Sequence, residues 1–456
     1  MSEGKFFRGT AFTLASGVIS LVVGLGTSII LARVLGPEGR GVYALATLLP
    51  TLMVTFGNFG IGPATAFYVA REDFRRQEIL GNNVLLSLIF GALGIAAGVV
   101  VIALFRSRLF PGVAPGYLVL VLALIPVELF MLYSKYVLLG TQSIRRYNYV
   151  EIIQGVLFLA LISLALLAFG AGVGGALACL ALALATTGAV AFVWSRSAAG
   201  GVEFAFNRTY MRRAVKYGLQ VHLANILGFL NYRIDMLFIS AFLGPSAVGL
   251  YAVGVGLVEK IWLVSYAAST VLFPRVSAER DEEERNAFTP LVARTVLWAT
   301  ALGTIALVFL GRIIIQALYS DMYLPAVGAL RALLIGTVTL SAGRVLSNDI
   351  SGRGRPGLNI YIGLAAVASN VVLNWIWIPR FGISGAAWAS TVSYSVSFLG
   401  AMVFYCRLSG NKWYKLVLPQ RGDMAVYLRA LKSLFGLVRA VLGGKGKKLG
   451  MRGKVG

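Results

Sequence analysis

The chain has 456 residues, of which 58% are hydrophobic and 13% charged, with a mean hydropathy of +0.80 and a formal net charge of +23. That is more apolar surface than a water-soluble core of this length can hide, so a bilayer protein is predicted. Two cysteines without partner spacing, Cys179 and Cys406, and a single histidine, His222, supply no disulfide framework, metal cluster or histidine-dependent triad. The reading is therefore of a non-enzyme, with no catalytic residues, no metal ligands and no bound cofactor.

From the start, MSEGKFFRGTAF runs directly into a full-length apolar segment, without a short apolar stretch and small-residue cleavage site, which predicts a retained cytoplasmic N-terminus. A helix needs about 20 apolar residues to cross a hydrocarbon layer roughly 30 Å thick. Segments of that kind lie near 10–35, 41–69, 79–105, 116–140, 149–169, 173–194, 214–242, 246–273, 289–311, 325–349, 357–378 and 383–406, punctuated by Gly, Pro and charge. The fold predicted is an all-α polytopic membrane protein of about twelve transmembrane helices, in two parallel six-helix lobes around a central cavity. The domains are an N-terminal lobe at 1–195, a cytoplasmic inter-lobe linker at 196–213, a C-terminal lobe at 214–406 and a basic amphipathic cytoplasmic tail at 407–456.

An internal repeat supports two lobes. VLGPEGRGVYA at 34–44 and FLGPSAVGLYA at 242–252 share six of eleven positions, 208 residues apart. GVGGALAC from 172 and GISGAAWA from 382 share Gly172/Gly382, Gly175/Gly385 and Ala176/Ala386, 210 residues apart. With an even number of spans between copies, both copies cross the membrane in the same sense.

Of the 41 Lys and Arg residues, 29 fall on one side together with both termini, and six on the other. The cation-rich side is cytoplasmic, which predicts a multi-pass protein of the cell's inner membrane with both termini inside. Cations so dispersed do not make a nucleic-acid surface. In the tail, Tyr427, Leu431, Leu434, Val438 and Val441 form one stripe between Met424 and Leu442, which predicts a helix lying on anionic lipid of the inner leaflet.

ILARVLGPEGRGVYALA, RIDMLFISAFLGPSAVGLYAVGVGLVEKIW with VLFPRVS after it, and SNVVLNWIWIPRFGISGAAWAS resemble the polysaccharide-transporter branch, which includes the O-antigen flippases, of the multidrug/oligosaccharidyl-lipid/polysaccharide exporter superfamily. The resemblance covers roughly residues 5 to 406, and Asn374, Pro379, Gly382, Gly385 and Ala386 fall on that family's N…IP…G..GAA pattern. It implies a flippase that moves a polyprenyl-pyrophosphate-linked oligosaccharide from the inner to the outer leaflet for cell-surface polysaccharide biosynthesis, beside glycosyltransferases or a polysaccharide polymerase. The alternative on the same fold is a cation-coupled multidrug or metabolite exporter. A membrane glycan polymerase or ligase is disfavoured by the short outer loops.

A charge inside a span costs about 2.5 to 3.5 kcal/mol on insertion scales, so each one asks for a reason. Lys260 and Glu259 lie deep in the eighth span, Glu128 in the fourth, and Arg233 with Asp235 in the seventh. Lys260 and Arg233 are the cation candidates for a diphosphate. Glu259, Asp235 and Glu128 are the acidic candidates to carry a coupling proton or sodium ion. The competing reading is that these charges pair with one another between helices. FGNFGIGP at 56–63 is a candidate hinge.

Overall fold

The computed structural model describes residues 3–278, 281–420 and 423. Among these, ten helices are long and apolar enough to cross a membrane. Two of the ten are each a pair of spans joined at a single non-helical glycine. In α1 (Glu3–Gly57) it is Gly36, at φ 65° and ψ 179°, and in α12 (Leu358–Ser409) it is Gly382, at φ 60° and ψ −144°. Only glycine takes such angles without strain, so the LGP and GISG motifs mark reversals of the chain between spans. Their repeat partners carry the same signature, with Gly244 at φ 82° and Gly172 at φ 60°.

The second span continues into α2 (Ile61–Arg71), and the third is α3 (Arg76–Leu109). The fourth is α4 (Pro115–Ala123) followed by α5 (Ile125–Gly140), and the fifth is α6 (Ile144–Ser163) extended by a π-helical turn, Leu164–Ala168. The sixth is α7 (Gly172–Ala199). Then come α8 (Arg208–Leu243), α9 (Pro245–Ala278), α10 (Glu282–Tyr319) and α11 (Ala326–Gly352), before the two spans of α12 and a short α13 (Tyr414–Val417). Among the described residues the chain thus forms two lobes of six spans, all helical.

The span expected near 41–69 is interrupted. The Asn58 amide donates to the Val54 and Thr55 carbonyls and its Oδ1 accepts from the Gly60 N–H, while Phe59 and Gly60 take positive φ, so the helix ends and restarts within FGNFGIGP. Elsewhere hydroxyls bond back into their own helix, as from Thr47 to Tyr43 O at 2.9 Å and from Thr187 to Ala183 O at 2.6 Å. Polar groups satisfied this way can sit among apolar neighbours. Large apolar side chains such as Leu104, Leu302 and Phe309 point outward from the helices, as a lipid-facing surface requires.

Between α7 and α8, residues 201–207 run non-helically across the start of α3. The Asn82 amide donates to Ala205 O at 2.8 Å, its Oδ1 accepts from Asn207 N–H at 3.0 Å, and Glu203 N–H donates to Gln77 O at 3.1 Å. The stripe expected at 424–442 lies outside the described residues.

The lobes meet at one end through the two LGP turns. A Cβ at Gly41 would stand 1.7 Å from the Pro245 carbonyl oxygen, and one at Gly249 would stand 1.9 Å from that of Pro37. Each copy of the repeat is therefore seated on the other, backbone to backbone. Side chains reinforce this seam in both directions. Arg33 Nε donates to Leu318 O at 2.7 Å, and Ser240 Oγ donates to Leu109 O at 2.8 Å, so each lobe's first span caps the end of the other lobe's third. On the opposite side, Gly60 abuts Gly218 and the Phe67 and Tyr217 rings stack at 4.6 Å.

Candidate functional site

The deep charges fall into three settings. The first is an ion pair, Arg233 on α8 to Glu259 on α9 at 2.8 Å, with both side chains still partly accessible. Residues adjacent on a helix point about 100° apart, so Glu259 cannot serve Lys260 as well. Lys260 turns toward the other lobe, where its Nζ lies 3.7 Å from the place a Cβ at Gly24 of α1 would occupy. Among the described residues no carboxylate pairs with it.

The second setting is a buried polar chain between α8, α9 and α12. The Asp235 carboxylate accepts from Tyr251 OH at 2.5 Å, Ser390 Oγ at 3.1 Å and its neighbour's N–H, that of Met236, at 2.8 Å. Asn370 donates to Ser393 Oγ at 3.0 Å and accepts from Asn374 at 2.5 Å, while Asn374 Oδ1 is buried without a partner. One carboxylate among hydroxyl and amide oxygens is a donor set for a small hard cation. Among the described residues no group of three or more His, Cys, Asp or Glu gathers as a metal cluster.

The third setting is in the other lobe. Glu128 lines a cavity of about 370 Å³ together with Tyr43, Thr47, Lys135 and Gln154. Lys135 is bound to Glu151 at 2.6 Å beneath the Tyr147 ring, and Glu128 has no ion pair among the described residues. The five candidates thus form no single constellation: Arg233, Glu259 and Lys260 are neighbours, Asp235 is turned into its own network, and Glu128 is remote.

The candidates chosen by depth in the spans did not include Arg344 of α11. Its guanidinium lies 4.2 Å from the Trp262 ring centroid, 4.6 Å from that of Tyr266 and 5.1 Å from that of Tyr232. The sequence did hold a signal, since Trp262 and Tyr266 stand four apart on one helical face.

Comparison with known proteins agrees with this architecture. Residues 6–278, more than half of the chain, match the model of a family described as polysaccharide biosynthesis protein. A probable flippase, AglR, of Haloferax volcanii is 26% identical over 176 residues, covering 37% of each protein. The chain spans less than two thirds of the length of the curated relatives it matches. Among solved structures, the lipid II flippase MurJ in an inward closed conformation superposes with a TM-score of 0.73 at 15% identity, covering 96% of this chain and 93% of that one. An inward-facing MATE-family multidrug transporter gives 0.71 at 16% identity, covering 88% and 98%. Those identities speak for the fold alone; with the family match and the repeat-built lobes, they make this chain a multi-pass membrane protein that belongs to the polysaccharide biosynthesis protein family.

Proposed function

We propose that this protein is a flippase that turns a polyprenyl-pyrophosphate-linked oligosaccharide from the inner to the outer leaflet of the cytoplasmic membrane by alternating access of its two lobes. The observation that carries the reading is Lys260, a cation at the lobe seam with no carboxylate partner among the described residues. A membrane-embedded cation needs an anion or water, and a diphosphate arriving between the lobes supplies one. An inside-negative potential favours outward movement of such an anion by about 2.3 kcal/mol per charge per 100 mV. The family match and the flippase relative support a lipid-linked substrate.

In this reading 1–195 and 214–406 are the moving lobes, joined at 196–213, with both termini cytoplasmic and the basic tail on anionic lipid. Asp235 and its oxygen neighbours on α12 hold the coupling ion, a proton or sodium. Glycosyltransferases load the substrate and a polymerase consumes it. The test is reconstitution in liposomes carrying a fluorescent lipid-linked oligosaccharide in both leaflets. Protein-dependent loss of protection from an impermeant quencher is expected. Quenching identical to that of empty liposomes, together with export of organic cations, would establish the drug-exporter alternative instead.

A further inference from the structure

The two lobes place a cation at the same point and treat it differently. Lys135 in the fourth span of the first lobe and Arg344 in the fourth span of the second lie 209 residues apart, between the 208 and 210 of the two motif pairs. Lys135 is neutralised by Glu151 at 2.6 Å. Arg344 has no carboxylate partner among the described residues; its Nε makes one long contact to Tyr232 OH at 3.4 Å, and its Nη1 and Nη2 are buried without any hydrogen-bond partner. Three ring faces stabilise the charge, as cation–π contacts do in a desolvated site, but ring faces leave the N–H donors without acceptors. Two parallel N–H groups on a guanidinium fork match two oxygens of one phosphate.

On one side of the cage stands Tyr266, itself 54% exposed. Arg233 and Glu259 stand on the same two helices as Tyr232, Trp262 and Tyr266, and Lys260 adjoins them.

We infer that Arg344, caged by Tyr232, Trp262 and Tyr266, is a phosphate-oxyanion subsite in the second lobe, distinct from Lys260 and approached from the exposed Tyr266 side. The inference rests on the flippase reading for the identity of its ligand. The shared chemistry is a phosphate ester on a lipid chain, whether an isoprenoid pyrophosphate or an ordinary anionic phospholipid.

The experiment measures ligand-induced thermal shift and affinity on the purified full chain. Its probes are geranylgeranyl pyrophosphate, phosphatidylglycerol and geranylgeraniol, with inorganic pyrophosphate as competitor. Arg344→Met is expected to weaken geranylgeranyl pyrophosphate binding about tenfold or more, the loss of a charge-assisted pair, and Arg344→Lys to retain most of it. Because an uncompensated cation is removed, the ligand-free Arg344→Met protein should melt no lower than wild type, whereas a purely structural arginine would melt lower. Should Arg344→Met fail to fold, Arg344→Gln must show the same loss of binding. Wild-type and Arg344→Met proteins that bind the pyrophosphate equally would overturn the subsite while leaving the flippase reading intact. Arg344-dependent binding of phosphatidylglycerol but not of the pyrophosphate would uphold the oxyanion subsite and reassign its source to membrane lipid. A wild-type protein that binds neither would sink the subsite, and binding of neither combined with no oligosaccharide transport would sink both.

Discussion

Glu259 gives its carboxylate to Arg233 on the neighbouring helix, 2.8 Å away, and Lys260, the next residue, is left facing Gly24 of the opposite lobe. One of the two adjacent charges is thus held within its own lobe while the other points across the seam. If Lys260 grips the diphosphate, Lys260→Ala abolishes transport at near-normal protein abundance and Lys260→Arg retains much of it. Full transport by well-expressed Lys260→Ala would remove Lys260 from the substrate path.

The Arg233 and Glu259 pair behaves oppositely. Removing one partner strands a charge in the membrane interior, so Arg233→Ala should lower the amount of folded protein. Arg233→Ala/Glu259→Ala should recover it relative to the single variant. A double variant no better folded than Arg233→Ala would mean that the two side chains do not stabilise one another. Detergent-extracted monodisperse protein, read by fluorescence-detected size exclusion, reports both.

At the seam between the two LGP turns, Gly41→Ala pushes a methyl group into the Pro245 carbonyl, and backbone on both sides cannot yield as a side-chain tip could. The turns must part. Val248 is fully buried beside them, so a Val248→Cys reporter in a background without Cys179 and Cys406 should be alkylated from outside much faster when Gly41→Ala is added. Unchanged labelling would show that the seam absorbs the methyl group without opening.

The membrane orientation can be read with two further cysteines. Ala171→Cys, in the loop after the π turn, should react with an impermeant maleimide in intact cells, and Glu282→Cys, at the start of α10, only after permeabilisation. The reverse pattern would invert the topology.

The segment after α12 is fastened by a buried fork. Arg294 donates to both Asp423 oxygens at 2.5 Å and to Lys415 O at 3.1 Å, and Trp298 Nε1 donates to Val417 O at 2.9 Å. Hydrogen bonding from Arg294 holds the Asp423 carboxyl below its ordinary range. A depressed carboxylate pKa adds stability that is complete above the unfolded value of about 3.9 and disappears as pH falls through the lower folded value. Trypsin should therefore spare Lys412 and Lys415 at neutral pH and cut there readily in Asp423→Ala, since breaking such a pair costs about 3 to 5 kcal/mol. Protection in a pH series, read with an acid-tolerant protease, should persist to about pH 4 and be lost below it. Equal cleavage of wild type and Asp423→Ala at neutral pH would show that the fork fastens nothing.

Most of the fold was legible because a span is a length of apolar residues and a reversal is a glycine that must take positive φ, both local properties. The break at Asn58 was less so, since it depends on an amide that bonds its own backbone and could equally have faced a neighbour. The site was legible only as charge. Lys260, Arg233, Glu259, Asp235 and Glu128 announce themselves by their cost in an apolar run. Ser390, Asn370 and Tyr251 do not, and only tertiary packing brings Ser390 to Asp235 across 155 positions. Arg344 was visible as a charge, but the rings that cage it come from two other helices.

The reciprocal seating of Gly41 on Pro245 and of Gly249 on Pro37 makes the two copies of the repeat equivalent partners in one contact. In such an arrangement each copy of the phrase is both key and lock. A bulkier residue in either glycine position strikes the partner's backbone, and no change in the partner's side chains can accommodate it. The two halves of a duplicated protein are otherwise free to drift apart, yet here neither can abandon the shared wording alone. The six common positions of VLGPEGRGVYA and FLGPSAVGLYA include both glycines and both prolines of that contact, and it binds the duplicated halves to one another as an inherited constraint.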